Sequence, residues 1–180
     1  MRRALTVLAC SAALLAAAVP GTAAAAKPRF WATVNVCKSA EPESRVGFRA
    51  SMPGNGTRQR MYMRFTAQFY DGDDKAWKPI EGKPRSPWVL AGSARYVTRQ
   101  RGYTFNIDPP PAGKTYKFRG FVEFQWRARK KGGGTKVVRE LEKFTRGGYG
   151  NTVGSDPKGY SSAFCKITGP AEQPPPTPIG

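Results

Sequence analysis

Histidine is absent from the 180 residues. That removes Ser-His-Asp and Cys-His catalysis, histidine metal sites and the commonest general acid–base. Cysteine is scarce, at three, and no cofactor pattern stands out. Acidic residues are few: 12 Asp and Glu stand against 30 Lys and Arg, a formal charge of +18. No apolar run reaches the ~20 residues that a membrane-spanning helix needs, so no transmembrane anchor is expected. After Ala26, no stretch carries a convincing helical period.

What is present begins with MRRALTVLACSAALLAAAVPGTAAAA, which reads as a signal peptide over residues 1–26. Arg2 and Arg3 form its positive end and Ala4 to Val19 its apolar run. Pro20 and Gly21 break that run, and Ala24-Ala25-Ala26 fits the small-residue cleavage pattern. Cys10 loosely fits a lipidation box, but the apolar run continues past it. Removing this leader takes two basic residues and no acidic one, leaving 28 against 12, or +16. Such a secreted, extracellular domain favours an anionic polymer, a glycan or a cell-envelope surface, with nucleic acid bound only nonspecifically. A solvated basic surface is the plain alternative. The two cysteines that remain, Cys37 and Cys165, form an even count in an oxidising compartment, which argues for one disulfide.

The longest pattern is Tyr116–Arg129. One parity reads Tyr116, Phe118, Gly120, Val122, Phe124, Trp126, Ala128; the other reads Lys117, Arg119, Phe121, Glu123, Gln125, Arg127, Arg129. Successive strand residues point to opposite faces, so this is an apolar face backed by a mostly charged one. Fourteen residues would run ~46 Å, and Gly120 is the expected place for a bulge or bend; a bulge there would flip parity and turn Phe121 inward. Arg60–Tyr70 alternates in the same way. Shorter strands are expected at Phe30–Cys37, Val46–Met52, Val89–Thr98, Tyr103–Ile107, Lys136–Phe144 and Tyr160–Ile167. Lys75–Pro87 reads as irregular, with Trp77 and Trp88 covering a sheet edge or a core end. Gly147–Gly159 reads as a mobile loop. The expected architecture is an all-β antiparallel β-sandwich of about eight strands over residues 27–168, followed by a Pro-rich tail at 169–180.

The stretch Tyr103–Ala128 resembles the E–F corner of an immunoglobulin or fibronectin type III module. A short strand (Tyr103, Phe105, Ile107) leads through a proline-bearing turn to Tyr-x-Phe at Tyr116. The resemblance implies an immunoglobulin-like sandwich, with Tyr116 as the corner tyrosine bonding back to the turn. The cysteines depart from that family, whose bridge joins its B and F strands; here they lie in the first and last strands. The chain also resembles small secreted proteins of high-GC Gram-positive bacteria, which implies secretion and supplies no site.

The candidate site is the polar face of the two long strands: Tyr62, Arg64, Tyr70, Arg119, Phe121 and Arg127. Arginine and aromatic side chains together suit glycan stacking or anionic polymers. Ordinary cross-strand packing is the competing account. Two weaker patterns remain. Glu123, Glu140 and Glu142 offer carboxylate pairs of the kind a glycosidase uses. Asp71-Gly72-Asp73-Asp74 offers loop oxygens for calcium but lacks EF-hand spacing, and reads first as a turn. The expectation is a binding module without catalysis, a structural or protein-interaction domain of the cell envelope being the runner-up.

Overall fold

A computed structural model describes residues 30–39, 43–95, 98–150 and 152–171. The leader at 1–26 lies outside them, as does the tail from residue 172. The described residues form nine strands and no helix: β1 (Trp31–Lys38), β2 (Ser44–Pro53), β3 (Arg60–Asp71), β4 (Ala76–Pro79), β5 (Val89–Ser93), β6 (Thr98–Ile107), β7 (Thr115–Arg129), β8 (Thr135–Phe144) and β9 (Cys165–Thr168). They make two antiparallel sheets. The smaller runs β1-β2-β6 and the larger β4-β3-β7-β8. β5 shares an edge of β3 with β4, and β9 shares an edge of β7 with β8.

The alternation of β7 dictates its place at the centre of the larger sheet. Phe118, Gly120, Val122, Phe124 and Trp126 are buried, while the residues between them are only half-buried. They lie in register with Phe69, Ala67, Phe65, Met63 and Met61 of β3. The smaller sheet turns Ala32, Val34, Val46, Phe48, Ala50, Met52 and Phe105 toward the same core. Each large apolar side chain buried this way contributes about 1.5–3 kcal/mol. The cores of both sheets thus come from the period-2 pattern read in the sequence.

Gly120 is not a bulge. The β3–β7 register runs unbroken through Thr66↔Phe121, Ala67↔Gly120 and Gln68↔Arg119, so Phe121 stays on the outer face. A Cβ at Gly120 would stand 2.7 Å from Phe48 Cδ1 and 2.8 Å from its Cγ. The glycine makes room for a ring arriving from the opposite sheet. The irregularity beside β7 lies farther along and belongs to β8: Trp126 pairs with Arg139 and Arg127 with Val137, so Val138 is the extra residue.

Four other expectations change. β4 forms inside the segment expected to be irregular, and β6 begins before Tyr103. The last strand is only Cys165–Thr168; Tyr160–Phe164 instead makes a single bridge, Ser162 to Val34. The loop read as mobile is tied along the free edge of β1. Val34 and Ser162 exchange backbone bonds, Asp156 N donates to Asn35 O, and Asn35 Nδ2 donates to Gly154 O at 2.9 Å. Those bonds satisfy the buried Asn35, and the buried Thr33 hydroxyl pairs with Ser161 Oγ at 2.8 Å; unpaired, both would be costly to bury.

The Cys37–Cys165 disulfide joins β1 to β9, and so one sheet to the other. Tyr116 packs against Phe69 and Phe118. Among the described residues its hydroxyl donates to no carbonyl of the preceding turn.

Candidate functional site

β3 and β7 pair so that their polar parities share the outer face of the larger sheet. Arg64 stands opposite Glu123, Gln68 opposite Arg119, Thr66 opposite Phe121 and Tyr62 opposite Gln125. β4 adds Trp77 opposite Tyr70, and β8 adds Phe144 opposite Phe121. All six residues expected to form the site therefore lie on one face.

Three arginines on this face lie over aromatic rings. Arg64 sits 4.3 Å from the centre of the Trp88 ring. Its Nε donates to Glu123 Oε2 at 2.8 Å and its Nη2 to Oε1 at 2.5 Å. That two-pronged bond raises the Arg64 pKa further above its ordinary value, against the opposing pull of burial. Arg127 lies 4.4 Å from Tyr62 and 4.7 Å from the same Trp88 ring, with Nε bonded to Gln125 Oε1 at 2.8 Å. Arg119 lies 4.3 Å from Trp77 and 4.0 Å from Phe144, with Nε bonded to Gln68 Oε1 at 2.9 Å. Burial lowers its pKa. Each such stack contributes about 0.5–2 kcal/mol, more as water is excluded.

The six expected residues join through three that the sequence reading placed elsewhere or left unassigned. Trp88 links Arg64 to Arg127, and through it to Tyr62. Phe144 links Arg119 to Phe121, whose ring centre lies 5.2 Å away. Trp77 links Arg119 to Tyr70, the two ring centres lying 5.4 Å apart in an edge-on arrangement. Phe144 was within reach of the sequence, since it continues the parity of Glu140 and Glu142. Trp77 and Trp88 lie in short or irregular segments that carry no periodicity, so nothing local shows which face they cover. Rather than closing a core end, both lie over the charged face.

Positive charge on the face is only partly balanced. Glu123 is held by Arg64, with Arg85 Nε 3.9 Å away. Among the described residues, Arg119 and Arg127 have amide partners and no carboxylate ion pair. Their remaining N–H groups stay available, since a guanidinium carries five in a fixed fork.

The three glutamates do share this face, with Glu123 opposite Glu142 and Gln125 opposite Glu140. Glu140 accepts a bond from Gln125 Nε2. The Asp71–Asp74 stretch is a turn: Asp71 Oδ1 accepts from the backbone N–H of Asp73 at 3.0 Å and of Asp74 at 3.3 Å. Lys78 bridges Asp71 and Asp74. Its hydrogen bond is the main cause holding the Asp71 carboxyl below its ordinary value. Among the described residues, no three His, Cys, Asp or Glu side chains are grouped to hold a metal ion.

Neither a comparison with protein-family models nor a search of curated proteins finds a match to this chain.

Proposed function

We propose that the protein is a secreted, non-catalytic binding module for an anionic or glycan surface, acting through the outer face of the larger sheet. One observation carries this reading. Arg119 and Arg127 lie over aromatic rings and meet amides rather than acids, so positive charge is presented beside an aromatic layer. Arginine stacked in this way keeps N–H donors for an oxyanion while the exposed ring edges receive a sugar. The net charge of +18 supports the same class of partner.

Two further parts of the reading rest on coarser support. The two antiparallel sheets, β1-β2-β6 and β4-β3-β7-β8, are compatible with a β-sandwich, and the immunoglobulin-like or fibronectin type III assignment rests on the Tyr103–Ala128 resemblance alone. The disulfide agrees with an oxidising, extracellular compartment. Among the described residues no helix is long and apolar enough to cross a membrane.

The test is retention on heparin-like, teichoic-type and DNA ligands across a salt series. We expect binding that weakens steadily as salt rises. Binding that is undetectable on all three, or indifferent to salt, refutes the proposal. A second reading, a protein-interaction domain, draws on β8. It is an edge strand with Val137, Val138 and Phe144 all exposed. That reading expects a partner or dimer that persists at high salt.

A further inference from the structure

A groove of about 610 Å³ opens where β3 ends and β7 begins, at the Lys117 end of the arginine face. Lys114, Lys117 and Lys166 line it together with Tyr70 and Tyr116. Lys117 of β7 and Lys166 of β9 are direct register partners. Side chains so paired leave the sheet side by side on one face, where like charges destabilise. Among the described residues no carboxylate forms an ion pair with any of the three lysines. Asp71 is on the rim but is held by Lys78 at 2.7 Å, which leaves the exposed Asp73 as the groove's other acid.

The backbone beneath the lysines is firmly held. Thr115 and Thr168 share a hydroxyl bond of 2.9 Å, and Gly169 N donates to Lys114 O at 2.9 Å. Lys117 Nζ lies between two rings, 4.8 Å from Phe164 and 5.7 Å from Tyr70. A like-charge pair fixed on ordered strands with no carboxylate ion pair departs from local stability rules, and such departures collect at functional positions.

We propose that this groove holds the anionic ester group of an acidic glycan. The Lys117–Lys166 pair and Lys114 meet the sulfate or phosphate oxygens, and Tyr70, which Lys117 approaches, offers ring surface to the sugar that carries them. The inference rests on the function proposed above and names the part of the face that reads the charge. Lysine suits this role because its compact ammonium meets an oxyanion as a point charge with rotatable donors.

The experiment titrates the whole mature protein with dextran sulfate, neutral dextran of equal length, and single-stranded DNA, over a salt series. The variants are Lys117→Gln/Lys166→Gln and a charge-matched control, Lys143→Gln/Lys158→Gln. We expect the groove variant to bind dextran sulfate at least tenfold more weakly, with the log–log salt slope reduced by about two. The control should change little, and neutral dextran should bind poorly. Relief of repulsion should leave the groove variant's melting temperature at or above that of the parent.

Equal loss in both double variants would mean bulk charge alone and overturn the groove. So would a groove variant that melts lower or fails to fold, since the pair would then be stabilising. DNA binding with the same dependence on Lys117 and Lys166 would overturn the glycan assignment. Loss confined to Arg119→Gln and Arg127→Gln would refute the groove while leaving the arginine face standing. Failure of the parent to bind either polyanion would refute both.

Discussion

Adding one methyl group at Gly120 should disturb the interior more than most surface changes to this protein. The Cβ of Gly120→Ala would meet Phe48 Cδ1 at 2.7 Å, Phe48 Cγ at 2.8 Å and Thr145 Cγ2 at 2.9 Å. Cγ lies close to the Phe48 backbone and cannot swing clear as the end of a long chain would. Phe48 is fully buried and packs on Phe105 with ring centres 5.7 Å apart, so its ring has little room to retreat. Thr145 is equally constrained, since its hydroxyl accepts from Gly120 N and donates to Ala163 O. Overpacking of this kind costs about 1–3 kcal/mol. At about 2–4 °C per kcal/mol for a chain of this size, the melting temperature should fall by ~2–12 °C. Phe48→Ala alone should cost about 3–5 kcal/mol through its cavity. In the double variant the new methyl projects into that cavity, so the two losses should not add. The double should be more stable than the sum by ~1 kcal/mol or more. Urea denaturation of the four proteins completes the cycle. Strict additivity, or a Gly120→Ala protein as stable as the parent, would show that Phe48 does not rest on Gly120.

Other perturbations address the staple, the pH response and the arginine face. Reducing the Cys37–Cys165 bridge, which spans 128 positions, should remove up to about 5 kcal/mol in the chain-entropy model, read as a lower midpoint in denaturant with and without reductant. Asp71 is held below its ordinary carboxyl value by Lys78, so its contribution is complete above about pH 4 and disappears as pH falls through the lowered folded value. Asp71→Asn should therefore flatten that part of the acid limb of a stability–pH curve and leave its neutral-to-alkaline shape alone. Trp88→Ala removes the ring shared by Arg64 and Arg127. It should cost ~1–4 kcal/mol for two partly desolvated stacks. In cycles with Arg64→Met and Arg127→Met, both arginines should show coupling to Trp88; absence of coupling in thermal unfolding would dismiss the array as incidental packing.

What the sequence carried about this fold is its periodicity, and the two long strands show both the reach and the limit of that signal. Alternation in Arg60–Tyr70 and Tyr116–Arg129 assigned inside and outside correctly along both, because a pleated strand leaves no other choice. It therefore also put Tyr62, Arg64, Tyr70, Arg119, Phe121 and Arg127 on one face. Alternation cannot say what arrives from elsewhere in the chain. The bulge expected at Gly120 was inferred from local backbone freedom, whereas the glycine answers to Phe48, a residue 72 positions earlier in the opposite sheet. Trp77 and Trp88 pose the same problem from the other side. Their rings complete the arginine array, yet one sits in a four-residue strand and the other just before β5, too short for any period to show. The loop over β1 is ordered for a similar reason: its bonds go to Thr33 and Asn35, far away in sequence. Stacking on those distant rings also bears on binding. A bare arginine face would lose side-chain entropy on meeting a polymer, whereas guanidiniums already laid on Tyr62, Trp77, Trp88 and Phe144 have lost much of it during folding. The aromatic layer beneath the arginines therefore works as preorganisation for the proposed ligand, and the same contacts that stabilise the sheet lower the entropy cost of binding.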